Sequence, residues 1–562
     1  MGISPNDVFR ITSGVPTAAG LVSGADGGLS WDNGQQINPL FRSPGNRVAL
    51  LGNSIMAQNG IKNPGAGSGG YDTWASSIAK TLTNTIAPQG IDLSSGYWPH
   101  LYYTCVQAGT TGTLEPSWPL AVGQRVADGT VVWECTAIRT DQIAWDYGWW
   151  HIAQALSGQR LNEVYISGRS GKKAREVLSY IDTAMAKNID TMVLAAVWEN
   201  DCWPGAFPVL ATVQSDWYWA KAEMDRVRGL GIKLMVSTVL PSGFFDTTGV
   251  GGTLYTGYSN GTATRCYQWL NRKIKEYAKD RADVILIDYA DLYTDPDPAN
   301  PVWPERVITY TAANGSTGVK TDGIHPYGAM RMALGQFIAP ILSANFPAVN
   351  QFSNALDQNG PALNPKHFGT AGTKGVATIT PTGTGPSNGY TATAFGANAS
   401  ASVLSKVART DKITGEWVQQ TIVFTGAASQ TDGPTLNNTA VLTLAGSGLV
   451  VGDIVQSFAE LKILGTPAPA LLQFPQLRTR FNGGSAPFDF INSAVLNSSD
   501  QNMGQMITAD TLFTLKTVPV QVPAGCTAIT NYWKAPAGGA NATYTVQYGQ
   551  VANNKIVVPD LA

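Results

Sequence analysis

Short apolar runs that stop at turn residues recur through the first part of the chain. They cover Arg47 to Leu51, which ends in Gly-Asn-Ser, then Glu163 to Ile166, Thr191 to Val197, Ile232 to Leu240 and Val284 to Ile287. Runs of this length bounded by turn residues predict strands buried on both faces. Between them the apolar positions take a helical spacing, over Ala174 to Ala186, Asp216 to Gly229 and Thr264 to Asp280. Strands alternating with helices imply right-handed crossovers. The pattern therefore predicts an α/β fold, a parallel sheet covered by helices on both faces.

Elsewhere the pattern changes. Trp98 to Thr136 alternates apolar and polar positions between turn residues, with no helical spacing. This predicts a small β module inserted at 97–137, or else an elaborate surface loop. Residues 1–45 are rich in Gly, Ser, Pro and Asn and read as an extended arm or linker. Beyond Pro347 the text is dominated by Thr, Ala, Gly, Asn, Val and Ser, with alternating stretches at Thr421 to Thr425, Thr439 to Leu444 and Thr543 to Tyr548. That predicts an antiparallel β-sandwich of the jelly-roll type over 350–562, with a binding or packing role. The α/β part is expected to span 46–345.

Composition narrows the function classes. A chain of 562 residues is too long for one ordinary domain. A net charge of -2, with 14% charged residues, gives no electrostatic case for nucleic acid or an anionic membrane. The start, Met-Gly-Ile-Ser-Pro-Asn-Asp, has neither a basic nor an apolar leader segment, and no long apolar run occurs, so a soluble chain without an export signal of its own or membrane insertion is expected. Five cysteines (Cys105, Cys135, Cys202, Cys266, Cys526) are odd in number and read as free thiols, although Cys105 and Cys135 could face each other across strands. They form no C-x-x-C pair or His/Cys cluster, so no structural metal is expected. The 16 Trp and 20 Tyr suit sugar faces where they reach the surface, but most such rings sit inside.

Candidate chemistry gathers at the ends of the predicted strands. Ser54 follows the first strand and opens a helix-compatible stretch, so its hydroxyl is placed as a nucleophile and its own N–H as an oxyanion donor. Of four histidines (His100, His151, His325, His367), only His325 has an acid three residues earlier, Asp322. In a tight loop that spacing lets the carboxylate hold one imidazole nitrogen while the other faces Ser54. Asn200 follows the run Thr191 to Val197, where open α/β sheets place ligands, and its amide is a second oxyanion candidate. Gly168-Arg-Ser-Gly-Lys-Lys173 is neither a phosphate loop nor a nucleophile elbow, since Ile166, Lys172 and Lys173 stand where those patterns need other residues.

With Gly52-Asn-Ser-Ile55, Gly168-Arg-Ser-Gly171, Glu199-Asn-Asp201 and Asp322-Gly-Ile-His-Pro326 in this order, residues 46–345 without the insert resemble the SGNH (GDSL-type) serine hydrolase superfamily. The resemblance implies a flavodoxin-like sheet and a Ser54, His325, Asp322 triad. The implied oxyanion hole is made by the Ser54 N–H, a glycine and Asn200. Gly171 is the preferred glycine, because its 29-residue interval to Asn200 is similar to the family's, with Gly168 as the alternative. No cofactor or metal is implied. Two departures stand out: Asn53 replaces the family's usual Asp, and Trp198 replaces its Gly. Trp198, Glu199 and Arg169 are candidate substrate contacts. The insert pattern resembles short modules of bacteriophage tail proteins. The resulting expectation is a tail-spike or tail-fibre esterase, located on the virion tail, that removes O-acetyl groups from a bacterial surface polysaccharide. It would be a homotrimer attached to other tail proteins. The alternatives are a non-catalytic adhesin on a hydrolase fold and a free soluble bacterial carbohydrate or lipid esterase.

Overall fold

The structure, a computed structural model, describes Leu21–Ser23, Leu29–Trp31 and residues 47–555. Outside it lie 63–71, 93–100, 120–122, 139–142, 203–207, 241–247, 250–252, 255–261, 290–324, 353–365, 412–414, 426–432, 439–441, 466–473, 484–487, 492–506, 536–542 and a few single or paired positions. Asp322, Trp98, His100 and most of the predicted arm are therefore outside the described residues.

Each apolar run of the α/β part forms a strand. β1 is Arg47–Asn53, β2 Gly90–Asp92, β3 Asn162–Arg169, β4 Thr191–Leu194, β5 Lys233–Ser237 and β6 Val284–Ile287. They lie side by side in the order β6-β5-β4-β1-β3-β2, all parallel except the edge strand β2. The chain runs outward from β1 to β3, then returns past β1 to β4. That reversal opens a crevice at the C-terminal ends of β1 and β4.

The strands alternate between two covered faces. Val48 and Leu50 of β1 join one core with helices α2 (Trp149–Ser157) and α8 (Gly328–Asn345). Ala49 and Leu51 join the other, with α3 (Ala174–Leu178), α4 (Ile181–Met185), α6 (Leu210–Gly229) and α7 (Thr262–Ala278). The expected helix over 174–186 is broken in two at Ser179 and Tyr180. α2 and α8 have no counterpart among the helices the sequence pattern predicts. Trp149 to Ala155 of α2 are all buried, so no polar stripe marks the helix, and α8 carries an interior Pro340.

The insert begins earlier than the pattern indicated. Its five-stranded sheet runs Arg125–Asp128, Val131–Ile138, Leu101–Gln107, Thr85–Ala87, Asp72–Thr73. It has a small core of its own. The Asp128 carboxylate accepts from Trp74 Nε1 (2.7 Å), Trp133 Nε1 (2.9 Å) and the Gly112 N–H (2.8 Å). Trp133 is fully buried, so it offers no sugar platform. Register places Cys105 opposite Trp133 and Cys135 opposite Tyr103; the two thiols do not face each other, and all five cysteines are buried and free.

The C-terminal part contributes strands β7 (Tyr390–Phe395), β8 (Ala399–Ala408), β9 (Glu416–Phe424), β10 (Gly433–Asn438), β11 (Ile454–Leu464), β12 (Gln476–Asn482), β13 (Phe488–Ile491), β14 (Thr511–Lys516), β15 (Ala528–Lys534) and β16 (Thr543–Lys555). One sheet runs β7-β10-β15-β12-β13, the other β8-β9-β16-β11-β14, each antiparallel along that path. Their buried faces share a core, as where Trp533 meets Tyr548 with ring centroids 5.9 Å apart. The first sheet continues through Ile143–Trp145 and Ile61–Lys62, segments that flank the insert. This core is continuous with the β1 face covered by α2 and α8.

Candidate active site

Two glycines in register let the turn into Ser54 form. Gly52 of β1 pairs with Gly168 of β3. A β-carbon on Gly52 would lie 2.3 Å from the Ala195 carbonyl oxygen, and one on Gly168 would lie 2.3 Å from the Ala57 backbone. The short helix α1 (Ser54–Ala57) is thus pressed onto β3, and Ser54 stands at the crevice.

Asn53 fixes the turn from three directions. Its N–H donates to the Ala196 carbonyl at 2.8 Å, its Oδ1 accepts from the Ile55 N–H at 2.9 Å, and its Nδ2 donates to Glu199 Oε2 at 2.7 Å. Ala196 sits at φ +54°, a left-handed conformation that costs a residue with a β-carbon about 1–2 kcal/mol. Its N–H is held by Ser237 Oγ at 3.0 Å.

His325 Nε2 lies 2.8 Å from Ser54 Oγ. The imidazole arrives on the loop before α8, whose buried Arg331 donates Nε to the Pro326 carbonyl at 3.1 Å. Arg331 carries no signature in the sequence. It lies five positions beyond Pro326, spaced to turn back onto it from the first turns of a helix. Asp322, the expected third member, lies outside the described residues.

On the other side, Asn200 sits in α5 (Glu199–Cys202) and donates Nδ2 to the Lys172 carbonyl at 2.8 Å. That bond joins α5 to the turn after β3. Gly171 lies in this turn at φ +72° with open space beside it, whereas Gly168 is inside the strand ladder. The neighbouring Asp201 accepts the Ala174 N–H at 2.8 Å, and burial pushes its carboxyl up to about 7, with Asp216 and Glu199 adding to the rise.

The three residues read as substrate contacts are instead interior. Trp198 is 6% exposed and packs against Trp217 at 5.9 Å. Glu199 is 7% exposed and accepts from Asn53 and from the Leu240 N–H (2.9 Å). Arg169 is 3% exposed and pairs with Glu115 of the insert at 2.6 Å, over the Tyr180 ring at 3.8 Å. Sequence pattern marks these positions as near the site, but not which way their side chains turn. His151 and His367 are also buried, and burial lowers both, to about 4 and about 3. Neither is placed with Ser54.

Among the described residues no group of three or more His, Cys, Asp and Glu is arranged to hold a metal, and no helix is long and apolar enough to cross a membrane.

No family model matches the chain, and no curated protein does. Among solved structures it is similar to several acyl hydrolases. One is a protein described as lipolytic, of the G-D-S-L family, from Desulfitobacterium hafniense DCB-2, 18% identical over 35% of this chain and 89% of that one, with a TM-score of 0.25. Another is the lipase/acylhydrolase from Enterococcus faecalis, 12% identical over 54% and 99%, TM-score 0.28. A third is a GDSL-like lipase from Bacteroides thetaiotaomicron VPI-5482, 17% identical over 32% and 75%, TM-score 0.22.

Proposed function

We propose that the chain is a serine esterase of the SGNH type, and the observation that carries this reading is the 2.8 Å approach of His325 Nε2 to Ser54 Oγ at the crevice end of β1. His325 takes the hydroxyl proton as Ser54 attacks the acyl carbon, and Asp322 steadies the imidazolium. The Ser54 and Gly171 N–H groups and the second N–H of the Asn200 amide receive the oxyanion. His325 then protonates the departing alcohol, and water, activated by the same imidazole, releases the acid from Ser54.

The substrate in this reading is an O-acetylated bacterial surface polysaccharide. A β-sandwich of the jelly-roll type, formed by the two C-terminal sheets, is the part that holds the polymer. Aromatic surface on the α/β part, apart from the sandwich, also suits a sugar ligand: Tyr218 is 62% exposed and meets Trp269 at 6.4 Å across α6 and α7. The insert's sequence pattern supports a tail appendage of a bacteriophage, with a trimer as the assembly to test by light scattering.

Acetate release from a panel of acetylated polysaccharides, followed by mass spectrometry, tests the activity. Ser54→Ala and His325→Ala should each lower kcat by about 10⁴-fold or more, and Asn200→Ala by ~10² to 10³. Ordinary turnover by Ser54→Ala would end the reading.

A further inference from the structure

The Asn53 and Glu199 side chains meet beside the nucleophile with donors and acceptors matched in kind. Asn53 Oδ1 accepts from Ile55, Asn53 Nδ2 donates to Glu199 Oε2, and Glu199 Oε1 accepts from Leu240. Both side chains are nearly closed to water, Asn53 at 0% and Glu199 at 7% exposure. The bridge ties the end of β1, one residue before Ser54, to the first residue of α5, one residue before Asn200, and on to the segment after β5.

We propose that Asn53 and Glu199 are a complementary positioning pair that sets Ser54 and Asn200 relative to each other, and that the amide at 53 is required by the carboxylate at 199. This rests on the esterase reading for the roles of Ser54 and Asn200. In this chain the family's usual aspartate at 53 is therefore harmful. Asn53→Asp sets two acceptor oxygens against each other where a 2.7 Å hydrogen bond stood, and two like charges with little water between them. Glu199→Gln fails in the opposite sense. Its single acceptor oxygen cannot serve both Asn53 Nδ2 and the Leu240 N–H, so two donors face each other. The double variant restores the match with roles exchanged. The new carboxylate at position 53 keeps one oxygen for the Ile55 N–H and offers the other to the new amide nitrogen at position 199, whose amide oxygen still accepts from Leu240.

The test is a double-mutant cycle read on full-length protein by thermal midpoint and by kcat and KM with p-nitrophenyl acetate. Each single variant should lose at least about tenfold in kcat with KM changed much less, and the double variant should return to within a few-fold of wild type, a coupling expected only between groups in contact. The thermal deficit of Asn53→Asp should also widen as pH rises from 5 to 8. A carboxyl raised by a like charge keeps its proton at the acid end and sheds it as pH rises, so the repulsion develops in that direction. If a single variant fails to fold, a folded and active double variant supports the pair by itself. Additive losses, or a double variant no better than the worse single, overturn the proposal. A dead Ser54→Ala alongside additive losses rejects the pair alone. An active Ser54→Ala alongside a rescued thermal midpoint rejects the esterase reading alone.

Discussion

Lys516, on β14 of the C-terminal part, places its ammonium 2.5 Å from the carboxylate of Glu163, on β3 of the parallel sheet, and the two side chains are 1% and 2% exposed. Trp150 Nε1 and Gln154 Nε2 of α2 each donate to the other Glu163 oxygen at 2.9 Å. Burial pushes this carboxyl up, but Lys516 and His151 reverse the effect and hold it below the usual glutamate range. Removing one partner leaves a buried charge alone. Lys516→Met should cost about 3–5 kcal/mol in denaturant unfolding, and Glu163→Gln combined with Lys516→Met should recover much of it. The sign with pH follows from the lowered carboxyl. The pair's contribution is present above the ordinary glutamate range and disappears as pH falls below it, so the wild-type advantage over Lys516→Met should shrink in acid.

Glu115 forms another buried pair, with Arg169, and its Oε1 accepts from Trp118 Nε1 at 2.9 Å. The Arg169 carbonyl in turn accepts the Lys172 N–H at 3.2 Å, in the turn that carries Gly171. Glu115→Ala should therefore destabilise by about 3–5 kcal/mol and lower esterase kcat more than KM is changed. Calorimetry with steady-state kinetics checks both; a stability loss with unchanged kcat would separate the insert from the turn that carries Gly171.

The two glycines after Ile166 should respond differently to the same substitution. Gly168→Ala pushes a methyl into the Ala57 backbone, so a loss of about 1–3 kcal/mol together with a shifted Ser54 and a large fall in kcat is expected. Gly171→Ala meets open space and keeps the N–H. It should cost about 1–2 kcal/mol for the left-handed φ while kcat stays within a few-fold.

Asp201 gives a stability effect of opposite pH sign to Glu163. Its folded carboxyl keeps a proton up to about 7 against an ordinary 3.8, chiefly through burial. Stability from this site is therefore full below 3.8 and is lost as pH rises towards 7. Asp201→Asn retains an acceptor for the Ala174 N–H and removes the titration. Thermal midpoints measured at pH 4 and pH 8 should show the variant gaining on wild type at the higher pH.

The alternating strand and helix pattern was enough to read the parallel sheet and three of its helical segments, because strands buried on both faces leave continuous apolar text. Ser54 and His325 were legible because few histidines compete and both lie at element ends. α2 was not, since a helix buried all round has no period to see. Arg169, Glu199 and Trp198 stand at or just after strand ends, as the sequence indicates, but their side chains are turned inward by partners, Glu115 among them, that lie far away in sequence. No local pattern reports such a partner. The pairing of Ile143–Trp145 with β13 was invisible for the same reason.

That last pairing has a consequence for how the protein is made. Ile143 waits on Phe490, and α2 waits on β14, so the side of α2 turned away from β1 emerges from the ribosome before the strands that cover it. At ordinary elongation rates of about 5–20 residues per second the exposure lasts on the order of tens of seconds. Newly made chains should therefore lean on chaperones during translation, and a gene fragment ending before the second half should yield inclusion bodies rather than a small folded protein.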